Sequence, residues 1–153
     1  MTDPLRRHVS SLLSMEGAHL SFREAVADFP AELRGKKPKG TPHTAWQLLE
    51  HMRLAQEDIL DFSRNPKYEE RKFPDDYWPA TAAPPSEEAW DRSVRQFEKD
   101  LQAMQHLVAA EEDLFAKIPH GKGQTFLREA LLVADHNSYH LGQLMFLRKT
   151  LEA

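Results

Sequence analysis

A chain of 153 residues is the size of one domain, and 41% hydrophobic residues suffice to bury a core. A net charge of −4 with no basic block argues against nucleic acid or an anionic membrane as the main partner. The absence of cysteine excludes disulfides, thiolate metal sites and an internal thiol nucleophile. The first residues lack the continuous apolar segment of a signal peptide, and the longest apolar runs are too short to span a bilayer, so a cytoplasmic protein is expected.

Asp3-Pro4 is a helix start, with Asp3 as N-cap and Pro4 at the first helical position. Leu5, Val9, Leu12, Met15, Phe22, Val26 and Phe29 recur at helical steps, so one first helix is expected up to Pro30. His8 on it reads as exposed, whereas His19 could face the core as a further ligand. Pro30 to His43 holds three Pro and two Gly and reads as a loop. Thr44 and Gln47 then form a capping box, and a second helix is predicted from Ala45 to about Ser63. Leu48, His51, Ala55, Ile59 and Phe62 make its apolar stripe, which puts His51 inside the core face.

Asn65 to Pro85 carries five Pro and no helical period. A connection of this length can run the whole length of the second helix, so the third need not be antiparallel to it. Tyr77 and Trp78 within it would cap the core or wall a substrate pocket. Ser86 before Glu87-Glu88 starts a third helix, whose stripe is Trp90, Val94, Phe97, Leu101, Met104 and Val108. His106 falls off that stripe. Ile118 to Gln124 is a turn containing His120, and Thr125 caps the last helix, which runs to about Lys149. No convincing strand appears, so the expected class is all-α, a four-helix bundle.

The last helix carries His136 and His140. The i, i+4 spacing sets both imidazoles on one face, as two ligands of one metal ion require. Leu132, Val133, Gln143, Leu144 and Leu147 lie near that face, so the pair points into an apolar groove. His51 from the second helix would make three neutral nitrogens with a fourth position left open, the layout of a catalytic site. Gln47 and Asp58 near the His51 face, and Gln143 one turn past His140, are candidates to contact substrate or to hold a ligand imidazole. Glu50 and Asp135 each precede a ligand His and read as helix surface. Leu127, Leu131 and Met145 sit away from the His face and suggest a second neighbour, such as a homodimer partner.

Four segments carry a family resemblance: TPHTAWQLLEHMRLAQEDILDF, the YWP at Tyr77 to Pro79, the SEEAW at Ser86 to Trp90, and GQTFLREALLVADHNSYHLGQL. Together with the order of one His in helix two and HxxxH in helix four, they resemble the DinB/YfiT-like superfamily over most of the chain. The resemblance implies an up-down-down-up bundle with a long crossover between helices two and three. It implies metal ligation by His51, His136 and His140, and frequent dimerisation. Imidazole donors make a divalent ion such as Zn, Ni, Fe or Mn the expected cofactor. The resemblance also implies, in some branches, S-transferase or isomerase chemistry with a small-molecule thiol; other members are regarded as metal-dependent hydrolases. Two readings stay open from the residues alone: a metal-dependent enzyme acting on a small molecule, or a non-catalytic metal-binding dimeric bundle. Within the first, thiol transfer is favoured over hydrolysis. A helical zinc peptidase has Glu directly after its first ligand His, and here that residue is Asn137, which cannot take a proton.

Overall fold

The computed structural model describes residues 3–153. Among them the architecture is all-helical: α1 (Pro4–Leu13), α2 (Phe22–Val26), α3 (Ala45–Arg64), α4 (Glu87–Ala110) and α5 (Phe126–Glu152), with short 3-10 turns at Ala31–Leu33 and Asp75–Tyr77. The three long helices start on the residues expected of them. Thr44, Ser86 and Thr125 each accept a hydrogen bond from the main-chain N–H three residues on, and Gln47 completes the capping box of α3.

The single first helix expected up to Pro30 is instead two. α1 stops at Leu13, Met15 turns the chain at φ 58, and Ser21 with Glu24 forms a capping box that starts α2. A side chain that accepts the N–H of the third residue competes with helix continuation, so a Ser-x-x-Glu inside an apolar period can begin a helix anew. Met15, Phe22, Val26 and Phe29 are buried nonetheless, because the break re-aims them instead of releasing them.

α3 packs against both α4 and α5, and α1 bridges the latter two. Two apolar clusters result. One joins Trp46, Leu49, Met52, Trp90, Phe97, Leu141 and Leu144 to α2; the other joins Val9, Leu13, Leu60, Met104, Leu114, Ala130 and Val133. Each fully buried Leu or Phe contributes about 1.5–3 kcal/mol of transfer free energy. At the boundary of the clusters, Asn137 Nδ2 donates to Gln56 Oε1 at 2.9 Å, and Gln56 Nε2 donates to the Phe97 carbonyl at 2.8 Å. This buried chain ties α5, α3 and α4 together.

The long α3–α4 connection folds back along α3. Arg71 donates to the Leu54 carbonyl at 3.1 Å and to Glu57 at 2.6 Å, and the hydroxyls of Tyr68 and Tyr77 each donate to Asp58 at 2.7 Å. The loop before α3 meets the far end of this connection at Gly35, where a Cβ would lie 2.4 Å from the Ala83 side chain. Only a residue without a side chain allows that approach. Both loops therefore close over the same end of the α3–α5 groove.

Candidate metal centre

His51 from α3 and His136 and His140 from α5 come together. One ring nitrogen from each lies within 4.8 Å of the others, and His51 and His140 are buried. Sequence spacing brings the α5 pair to one face, and the packing of α3 on α5 supplies the third ring. No carboxylate belongs to the cluster.

The hydrogen bonds fix which nitrogens face inward. His51 Nδ1–H donates to the main-chain carbonyl of Tyr77 at 2.8 Å, so its Nε2 carries a lone pair. His140 Nδ1 lies 2.7 Å from Gln143 Oε1, which orients that ring in the same way. His51 Nε2 and His136 Nε2 stand 3.1 Å apart. Two lone pairs at that distance repel unless a proton or a cation sits between them. Nitrogens about 2.0–2.1 Å from one tetrahedral ion would be roughly 3.3 Å apart, so the spacing of this pair fits a shared divalent ion.

Electrostatics agree. Burial, followed by the neighbouring His140 and His51, pushes the His136 pKa down to about 4. Burial also lowers His51 and His140, against the opposing effects of the Tyr77 carbonyl and of Gln143. All three imidazoles are neutral at pH 7, as ligands must be.

Aromatic rings wall the cluster. Trp78 stacks on His51 with centroids 3.8 Å apart and planes 3° from parallel, and it also packs on the apolar core. The capping role open to it from sequence is filled. His43 stacks on the other side of Trp78 at 4.0 Å, and the exposed ring of Tyr139 meets His140 edge-on at 4.9 Å. Sequence reasoning missed His43 and Tyr139. Only the position of His43 just before the cap of the ligand-bearing helix, and of Tyr139 beside His140, could have marked them.

The other expected residues divide. Gln143 contacts a ligand ring directly, and Tyr77 does so through its main chain. Asp58 reaches the centre only through Tyr77. Gln47 spends its amide oxygen on the Thr44 N–H and does not join the cluster. His19 is a correction: it is exposed, bonds the Leu20 carbonyl and lies outside the cluster, because the chain break after α1 carries it out of the bundle. Glu50 is also corrected. It is not free helix surface but is held by Arg53 at 2.6 Å and by Ser93 of α4 at 2.7 Å. Asp135 is exposed, as expected. Leu127 and Met145 are partly buried against the two clusters, which leaves Leu131 as the exposed member of that set.

Two cavities matter here. One, ≈ 690 Å³, lies along the α1–α2 connection, α2 and α4, and shares no residue with the histidine cluster. A smaller one, ≈ 430 Å³, borders the cluster and includes His43 and Gln143. No described helix is long and apolar enough to cross a membrane.

No curated protein and no solved structure matches the chain. The sequence model of the DinB superfamily, however, matches residues 15–144, a span that takes in all three histidines, the whole of α3 and α5 as far as Leu144. This chain belongs to the DinB superfamily.

Proposed function

We propose that this protein is a cytoplasmic, homodimeric metal-dependent enzyme that joins a small-molecule thiol to an electrophilic substrate. His51, His136 and His140 would hold one divalent ion of the Zn, Ni, Fe or Mn class. When bound, such an ion supplies a positive charge that lowers the pKa of a nearby thiol and polarises an electrophile. The observation that carries the reading is the composition of the centre: three neutral imidazoles and no carboxylate.

The surrounding residues favour a thiol over water. Asn137, which holds the position of a peptidase general base, points into the core and is bonded to Gln56. Asp58 is occupied by two tyrosine hydroxyls. Among the described residues, no carboxylate joins the cluster to take the proton of water. A thiol ionises near pH 8.5 unaided and needs no such base once a cation is close. In the transfer, the thiol loses its proton to solvent, its sulfur forms a bond to the substrate carbon, and the leaving group departs with its electron pair.

The chain's own residues orient and enclose. Tyr77 and Gln143 set the two ring orientations, Trp78 covers one face of His51 and keeps water from it, and His43 lies at the rim. The test is to load the protein with Zn, Ni, Mn or Fe and to offer bacillithiol, mycothiol, glutathione or coenzyme A with a model electrophile. Metal-dependent conjugation with one thiol is expected. Metal-dependent ester or amide cleavage without thiol, and no conjugation with any of the four, would overturn the reading in favour of a hydrolase.

A further inference from the structure

The ≈ 430 Å³ cavity beside the histidines has a distinct chemistry. It is formed by the loop before α3 and the C-terminal turns of α5, with Pro38, Pro42, Leu48, Phe146 and Leu147 among its walls. No Asp, Glu, Lys or Arg lines it. The nearby Lys37 donates its ammonium to the Pro42 carbonyl at 3.0 Å. Its size falls within the range of small-molecule pockets.

Two separate links join it to the centre. Gln143 lines the cavity and contacts His140 Nδ1 at 2.7 Å. His43 lines it too, and stacks on the Trp78 ring that stacks on His51. Phe146 stands at its edge 77% exposed, an apolar ring that a bound apolar group would cover. An unpaired charge there would lose its hydration without gaining a partner, whereas each methylene moved out of water tightens binding.

We infer that this cavity takes the uncharged apolar body, alkyl or aryl, of a molecule whose polar end sits at the three-histidine centre. The assignment rests on the metal-centre reading for its polar end, but the apolar cavity stands without it. It narrows the electrophile to amphiphilic molecules with one polar end and a hydrocarbon body, and it excludes substrates whose far end is a phosphate or carboxylate. Thr41 and Thr150 line the cavity at positions that are not buried, so a charge can be introduced there without disturbing the core.

The experiment has two arms. In the first, zinc-loaded protein is titrated with hydroxamic acids of increasing chain length, from acetohydroxamate to octanohydroxamate. Kd is expected to fall roughly 4-fold per added methylene, the gain for hydrocarbon leaving water. In the doubly substituted Thr41→Glu, Thr150→Glu protein this dependence should flatten while acetohydroxamate binding stays within about 2-fold, since the head group and its ligands are untouched. In the second arm, metal-free protein labelled at leucine methyls is titrated with 1-octanol, and the Leu48 and Leu147 signals are expected to shift. A wild-type series with no chain-length dependence, a dependence that survives both substitutions, or unshifted Leu48 and Leu147 methyls would overturn the inference. Should zinc not bind at all, the metal-centre reading fails alone, and the octanol titration still decides the cavity.

Discussion

Tyr77 holds His51 through its main chain: its carbonyl accepts the His51 Nδ1–H at 2.8 Å. The same residue is anchored at its other end, where its hydroxyl donates to Asp58 at 2.7 Å. Burial and the Asp58 carboxylate push that hydroxyl's pKa up to about 12, so it remains a donor at any working pH. A loop residue thereby sets the tautomer of a helix residue. Removing the anchor by Tyr77→Phe should loosen the carbonyl and weaken zinc binding about 10-fold, the lower end for losing a partner that orients a ligand. Competition against a chromophoric chelator measures it. Unchanged affinity would mean that the loop is held in place without the Asp58 bond.

Asn137→Ala tests the buried polar chain. Asn137 and Gln56 are each 1% exposed, and the substitution leaves Gln56 Oε1 without its donor. The expected cost is about 1–3 kcal/mol. For a chain of this size that lowers Tm by roughly 2–4 °C per kcal/mol. Zinc stoichiometry should not change, because Asn137 faces away from the centre. A wild-type Tm would show that the Gln56 amide finds another partner.

Much of this was legible in the sequence, for identifiable reasons. The three long helices announce themselves because Thr44, Ser86 and Thr125 are caps followed by apolar stripes, and cap and stripe agree. His51 could be placed in the core from its stripe, and His136 with His140 from their spacing. The break in the first helix was missed because the apolar period from Leu5 to Phe29 continues through it. The Ser21–Glu24 capping box was the available signal, and period alone outweighed it. The wall of the centre was legible only in part. Tyr77 and Trp78 could be named from the sequence, but their closure on His51, and that of His43 on Trp78, follows from the folding-back of two loops, which depends on pairs distant in sequence such as Tyr77 with Asp58 and Gly35 with Ala83.

The metal-free protein should lose stability on mild acidification. His136 has its folded-state pKa lowered to about 4 by burial and by His140 and His51, and the folded-state values of His51 and His140 are lowered too. Unfolded, all three titrate near 6.5. Between about pH 6.5 and 4 the unfolded chain therefore binds protons that the native state refuses, so stability falls as pH falls through that window. Urea unfolding at pH 7.5, 6.0 and 5.0 should show a declining midpoint, and His136→Phe should flatten the decline. A midpoint independent of pH would contradict the burial of these rings.

Leu131 and Tyr139 on α5 are 42% and 64% exposed, and lie within about 80° of each other around the helix. Both are exposed apolar positions on the helix that carries His136 and His140, and we propose them as the seat of the homodimer contact. Leu131→Glu with Tyr139→Glu should convert dimer to monomer in sedimentation velocity. A dimer that survives both changes would move the contact elsewhere, and a wild-type monomer at all usable concentrations would remove it.

Whether His51, His136 and His140 hold one metal ion is read from the metal content of the protein. The protein is purified, stripped with chelator, reloaded with zinc at pH 7.5 and analysed for bound zinc, alongside His51→Ala, His136→Ala and His140→Ala. About one ion per wild-type chain is expected, in line with one set of three converging imidazoles. Each variant should lose nearly all of it, with the helical circular-dichroism signal retained. Near-stoichiometric zinc in the His136→Ala protein, or none in the wild type, would rule out the shared site.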